Sequence, residues 1–211
     1  SGGMLRTLNG GTNWQIIDEG WYSKTSGTSQ TLNKTAFADT VIGWAVGNSG
    51  TIRYTTDGGE TWSSQNTGSQ NLNDIYDSSA TKAYVVGDAG TLLKTSDGSS
   101  WTTQTPGVTP NLNSVHFMSA GLYGIAVGDS ETITKTLNGT SWSTRSSGWF
   151  TSPSGITNNI NSVYFVDASN AWAVGDNGTI LKTADGGTSW SAQSSGVTTR
   201  HLRSIHMASA S

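Results

Sequence analysis

The 211-residue chain is poor in charge: Lys and Arg number 11, Asp and Glu 14, and all four together make up 12 % of the sequence, about half the share of an ordinary soluble domain. A net charge of −3 with scattered Lys and Arg leaves no basic stripe to neutralise phosphates, which excludes nucleic acid as a partner. No apolar run approaches the roughly 18 residues needed for membrane insertion, and without cysteine there is neither a disulfide framework nor a thiolate metal site.

Read from its first residue, the chain repeats itself. A phrase closing on tryptophan occurs as TLNGGTNW, TTDGGETW, TSDGSSW, TLNGTSW and TADGGTSW, which puts Trp14, Trp62, Trp101, Trp142 and Trp190 48, 39, 41 and 48 residues apart. Ahead of the last four stands a second phrase, AVGNSGTI (45–52), VVGDAGTL (85–92), AVGDSETI (126–133) and AVGDNGTI (173–180). A third phrase appears as TLNKTAF (31–37), NLNDIY (71–76), NLNSVHF (111–117), NINSVYF (159–165) and HLRSIHM (201–207).

Each unit reads as four short strands. Strand A alternates apolar and polar residues, as in Leu112-Asn113-Ser114-Val115-His116-Phe117; strand B is the Ala-Val-Gly run; strand C is the Thr-Ile-Leu-Lys-Thr run; strand D begins at the closing tryptophan. Turns rich in Gly, Asn and Asp join B to C, and Asp185-Gly186-Gly187 joins C to D, with glycine supplying the positive φ of a tight hairpin. A twisted sheet of about 40 residues is too small to bury both its faces alone, so it has to stack on its neighbours, which is the logic of a propeller blade.

The expected fold is therefore all-β: a single five-bladed β-propeller domain over 1–211, built of four-stranded antiparallel blades. Blades two to five cover 30–69, 70–109, 110–157 and 158–198. Blade one is shared between the N- and C-termini, 1–29 and 199–211, and lacks one strand, its strand B. The last strand A is expected to return beside the N-terminal strands and close the ring.

The tryptophan phrase matches the Asp-box, Ser/Thr-x-Asp-x-Gly-x-Thr-Trp. The whole unit resembles the Asp-box (BNR) repeats of sialidases, sortilin-type receptors and, most closely, the photosystem II stability/assembly factor-like proteins. That resemblance covers essentially the whole chain; it implies a propeller with the boxes at the blade periphery and says little about activity. Physically the box is a stapled hairpin, in which Asp57, Asp97 and Asp185 accept hydrogen bonds from turn N–H groups while Trp62, Trp101 and Trp190 pack back over their blades. Asn9 and Asn138, with Trp14 and Trp142, keep the acceptor oxygen without the charge, which favours a structural role for all ten residues.

Little in the sequence announces catalysis. Of the acids, three lie in boxes, three in B–C turns (Asp88, Asp129, Asp176) and three at A–B corners (Asp39, Asp77, Asp167), and no non-repeating pair suggests the opposed carboxylates of glycoside hydrolysis. A sialidase-like site would need three converging arginines and a Tyr–Glu pair. Strand A is the innermost strand, so His116 and His206, at equivalent positions in it, could meet near the channel and hold a metal. The same position is filled by Tyr76 and Tyr164, which favours a packing ring, and no catalytic residue, metal or cofactor is expected.

The repeat breaks at two places. From box tryptophan to the next strand-A Leu or Ile there are 10 to 12 residues in three units but 18 in the first and fourth. The long versions carry Gly20-Trp21-Tyr22-Ser23 and Gly148-Trp149-Phe150-Thr151. Such aromatics either stack on a partner or fold down over the groove between blades. Trp21, Tyr22, Trp149 and Phe150 are taken as ligand-binding residues. The expected function is a non-catalytic binding or scaffold propeller that recognises a protein or glycan partner through its loop face. The alternatives are a glycoside hydrolase or sialidase relative, and a purely structural or designed minimal ring. No signal-peptide pattern is present, and the Ser/Thr/Asn/Gly-rich, Lys-poor composition points to an extracellular or periplasmic protein.

Overall fold

The computed structural model describes residues 4–6, 15–17, 24–118, 121–145 and 158–207. Strands β1 (Met4–Arg6) and β2 (Gln15–Ile17) form an antiparallel hairpin in which Met4 faces Ile17. Four complete sheets follow, each an antiparallel meander in chain order. The first holds β3 (Leu32–Phe37), β4 (Gly43–Gly47), β5 (Ile52–Thr55) and β6 (Ser63–Ser64). The second holds β7 (Leu72–Ser79), β8 (Lys82–Gly87), β9 (Leu92–Thr95) and β10 (Trp101–Thr103). The third comprises β11 (Leu112–Met118), β12 (Tyr123–Gly128), β13 (Ile133–Thr136) and β14 (Trp142–Arg145), and the fourth β15 (Ile160–Phe165), β16 (Ala171–Gly175), β17 (Ile180–Thr183) and β18 (Ser191–Gln193).

The core lies between sheets. Because side chains alternate along a strand, the second strand of a sheet serves both neighbours: Ala83 and Val85 of β8 pack with Trp44, Val46 and Ile52 of the sheet before, while Tyr84 and Val86 pack with Leu112, Val115 and Phe117 of the sheet after. The third joint repeats the scheme with Ile125, Val127 and Ile133 against Ile160, Val163, Phe165, Ala171 and Ala173. Successive first strands touch, β3 with β7, β7 with β11 and β11 with β15. Four sheets stacked in chain order, with three apolar joints between them, are a propeller-like arrangement.

One expected strand does not form. Residues 201–207 are not in a strand, although they run alongside β15, with the Ile205 N–H donating to Ser162 Oγ at 3.3 Å. A first strand gains its ladder from the second strand of its own sheet, as β15 does from β16, and no AVG phrase accompanies this copy in the sequence.

Candidate functional site

The boxes are built from their own turns. Asp57 Oδ1 accepts from the Thr61 N–H (2.9 Å) and the Thr55 hydroxyl (2.7 Å), while Oδ2 accepts the Thr61 hydroxyl (2.5 Å). Asp185 Oδ1 takes the N–H groups of Thr188 and Ser189, both at 2.8 Å, and its Oδ2 takes the Ser189 hydroxyl at 2.6 Å. Asp97 accepts from Ser99 and Ser100 at 2.8 and 2.7 Å. Asn138 accepts from Thr140 and Ser141 at 3.0 and 2.8 Å, so an amide oxygen fills the same place. Asn9 and Trp14 lie outside the described residues.

Those donors set the acidity of the boxes. The Thr61 hydroxyl and N–H hold Asp57 down to about 2. Burial pushes Asp185 up, but the bonds from Ser189, Thr183 and Thr188 together outweigh it and hold the group at about 2; the Ser100 N–H likewise draws Asp97 well below the usual carboxylate range. A carboxylate held ionised, with its lone pairs committed to its own turn, is a poor general acid.

The inner strands are joined side chain to backbone, in three successive rungs. In the first, Asn33, Asn73, Asn113 and Asn161 donate to the carbonyls of Leu72, Leu112, Ile160 and Leu202 at 2.8, 3.0, 3.1 and 3.0 Å. The same amide groups donate to Asn48, Asp88, Asp129 and Asp176 in the B–C turn of their own sheet, at 3.1, 3.1, 2.9 and 3.0 Å. In the second, the N–H groups of Val115, Val163 and Ile205 donate to Asp74 Oδ2, Ser114 Oγ and Ser162 Oγ at 3.0, 3.4 and 3.3 Å. Asp74 is 7 % exposed; burial pushes its carboxyl up, and Lys34, with Nζ at 3.5 Å, opposes that.

The third rung is a file of rings. Tyr76, His116, Tyr164 and His206 follow one another with centroids 5.0, 4.5 and 4.8 Å apart. Tyr164 therefore stands between the two histidines, and His116 Nδ1 accepts the Phe165 N–H at 3.3 Å. Burial, helped by His206, lowers His116 to about 4, so its imidazole is neutral near pH 7. Among the described residues no three metal-binding side chains converge.

Trp21, Tyr22, Trp149 and Phe150 lie outside the described residues. The Asn rung escaped sequence reasoning, although its signal was there: Asn follows the first apolar residue of strand A in four copies and becomes Arg203 in the fifth.

The family model of the photosynthesis system II assembly factor YCF48 matches the chain over residues 2–96, 94–193 and 143–211. No curated protein matches it. Among solved structures, YCF48 bound to a D1 peptide is similar at 16 % identity and TM-score 0.50, over 78 % of this chain and 81 % of that one. YCF48 from Cyanidioschyzon merolae is similar at 18 % identity and TM-score 0.59, over 90 % of this chain and 63 % of that one. An ancestral GH74 enzyme shares 20 % identity at TM-score 0.61, over 81 % of this chain and 25 % of that one. The chain thus spans less than two thirds of the Cyanidioschyzon protein and a quarter of the GH74 enzyme, and at these identities the likeness is one of fold.

Proposed function

The chain belongs to the photosynthesis system II assembly factor YCF48 family, and from that premise we propose that it is a non-catalytic, five-bladed propeller that recognises a protein partner. The family match along the chain carries the reading. A similarly folded YCF48 that holds a D1 peptide supports a polypeptide as the ligand, and box carboxylates committed to their own turns support a scaffold over an enzyme. In this reading the β1–β2 hairpin is strands C and D of blade one, the blade shared between the termini, whose inner edge is residues 201–207, and the ring closes where these meet. Partner contact falls to the long loops that carry Trp21, Tyr22, Trp149 and Phe150, and the protein works outside the cytoplasm, extracellular or periplasmic.

The test is a calorimetric titration of the full chain with the D1 peptide bound by that relative. Saturable binding is expected, absent with a scrambled peptide and weakened roughly tenfold in a Trp21→Ala/Trp149→Ala double variant, since aromatic anchors dominate such interfaces. No binding by the intact chain, or turnover of an aryl glycoside by the same preparation, would overturn the reading.

A further inference from the structure

A cavity of about 720 Å³ opens beside β17, β18 and the turn that follows them, with Glu131 of the β12–β13 turn reaching its wall from the sheet before; Leu181, Trp190, Gln193 and Val197 are among its other lining residues. Two departures from the repeat meet in it. The first is Glu131. The other sheets have Gly50, Gly90 and Gly178 at this position, all at positive φ, where a Cβ would come within 2.0, 2.1 and 1.9 Å of the Thr67, Val108 and Val197 carbonyl oxygens. Glu131 makes the same turn at φ 55, a left-handed conformation that a side chain adopts only at a cost. The residue is 9 % exposed, and among the described residues its carboxyl has no hydrogen-bond or ion-pair partner; burial accordingly pushes its pKa up.

The second is Trp190. Trp62 Nε1 donates to the Gly59 carbonyl at 3.0 Å and Trp101 Nε1 to Gln65 Oε1 at 2.9 Å. Trp190 is 8 % exposed, and among the described residues its buried Nε1 has no acceptor. Trp44 and Trp142 share that lack but do not line the cavity. Gln65 stands three residues after the box tryptophan of its sheet, and the residue so placed in the sheet before Trp190 is Arg145, a side chain with no acceptor atom. Neighbouring amides are already engaged: Asn158 Nδ2 donates to Thr179 Oγ1 at 2.8 Å, and Asn177 Nδ2 to Asn158 Oδ1 at 3.0 Å.

A ligand complementary to this wall brings a cation to Glu131 and an acceptor to the Trp190 N–H. Leu181, which packs in the same cluster as Ala173 and Trp190, supplies an apolar side along which an aliphatic stem can lie. The largely covered Trp190 ring gives a sugar no stacking platform. We propose that this cavity takes a lysine or arginine residue of an extended basic peptide segment, its head group on Glu131 and its backbone carbonyl on the Trp190 indole N–H. The proposal rests on the protein-partner reading above and adds to it the chemistry of one contact.

The test follows the Trp190 indole resonance of the full chain by nitrogen-15 NMR while Nα-acetyl-arginine methylamide is added, with Nα-acetyl-norleucine methylamide as the uncharged probe. The resonance is expected to shift saturably with the arginine probe and to stay in place with norleucine. Binding is expected to weaken roughly tenfold in Glu131→Gln and in Glu131→Gly, the second of which restores the glycine of the other turns. An unmoved resonance, as when the chain's own 146–157 segment fills the cavity, would overturn the proposal, and so would equal shifts in wild type and both variants. D1-peptide binding without a probe shift sinks this contact alone; a probe shift without peptide binding sinks the partner reading alone.

Discussion

The Phe165 backbone N–H donates to His116 Nδ1 across 3.3 Å, from one sheet to the next. Only a neutral imidazole can accept there, because protonation at Nδ1 turns the acceptor into a donor. Protonating His116 therefore opens the joint that Asn113 and Ser114 also hold.

This fixes a pH dependence. The fold lowers His116 from an ordinary value of 6.5 to about 4, so its neutral form is favoured in the native state. That contribution is present in full above pH 6.5 and is lost as pH falls through the window down to 4. The unfolding free energy from urea titrations is expected to fall across the window by on the order of 3 kcal/mol. His116→Tyr, which copies Tyr76 and Tyr164, should flatten that segment; an unchanged slope in the variant would count against it.

Asn113 ties the Ile160 carbonyl to Asp129 in its own turn, at 3.1 and 2.9 Å. Asn113→Ala leaves both acceptors short of a donor and should cost about 1–2 kcal/mol in chemical denaturation. Asn113→Asp should cost more at pH 7, where it sets a second carboxylate against Asp129, and should recover part of the loss at low salt-free pH as one of the pair protonates.

Asn138 occupies the box position that Asp185 occupies in the next sheet, with backbone donors at 2.8–3.0 Å in both. Asp185→Asn is expected to be mild at pH 7, whereas Asp185→Ala removes the staple and should cost about 1 kcal/mol. The lowered acidity gives the sign: the Asp185 contribution is present above its ordinary 3.8 and fades as pH falls towards about 2. The melting temperature of Asp185→Ala and wild type should therefore converge at strongly acid pH.

Gly178 adopts φ 72, and a Cβ there would come 1.9 Å from the Val197 carbonyl oxygen. Gly178→Ala is expected to destabilise by roughly 2–4 kcal/mol, since both the backbone conformation and the space oppose it. Denaturation of this variant beside Gly196→Ala separates the two causes, because Gly196 has φ 70 but nothing within 4 Å of its Cβ position.

Local chemistry was legible in the sequence and joint chemistry was not. The box of Asp57 closes within four residues, from Asp57 to Thr61, and Ala83, Tyr84, Val85 and Val86 alternate as a strand with two covered faces must. The Asn33–Leu72 bond spans 39 residues, and nothing in the spacing says which carbonyl faces that amide once two sheets are stacked. His116 and His206 could be paired by repeat position, yet the intervening Tyr164 ring keeps them apart. Residues 201–207 carry the alternation of a first strand, yet among the described residues no second strand pairs with them, since alternation reports burial and the ladder needs a partner. The aromatic loops at 20–23 and 148–151 departed from the repeat plainly, but a departure marks a place without stating what it binds.

The most direct test of the account is hydrogen–deuterium exchange of the full chain with and without the D1 peptide. Slower exchange is expected in peptides covering 18–29 and 146–157, while the box hairpins at 55–62 and 95–101 stay as they are. Binding that leaves both loops unprotected, or protection confined to the box hairpins, would contradict it.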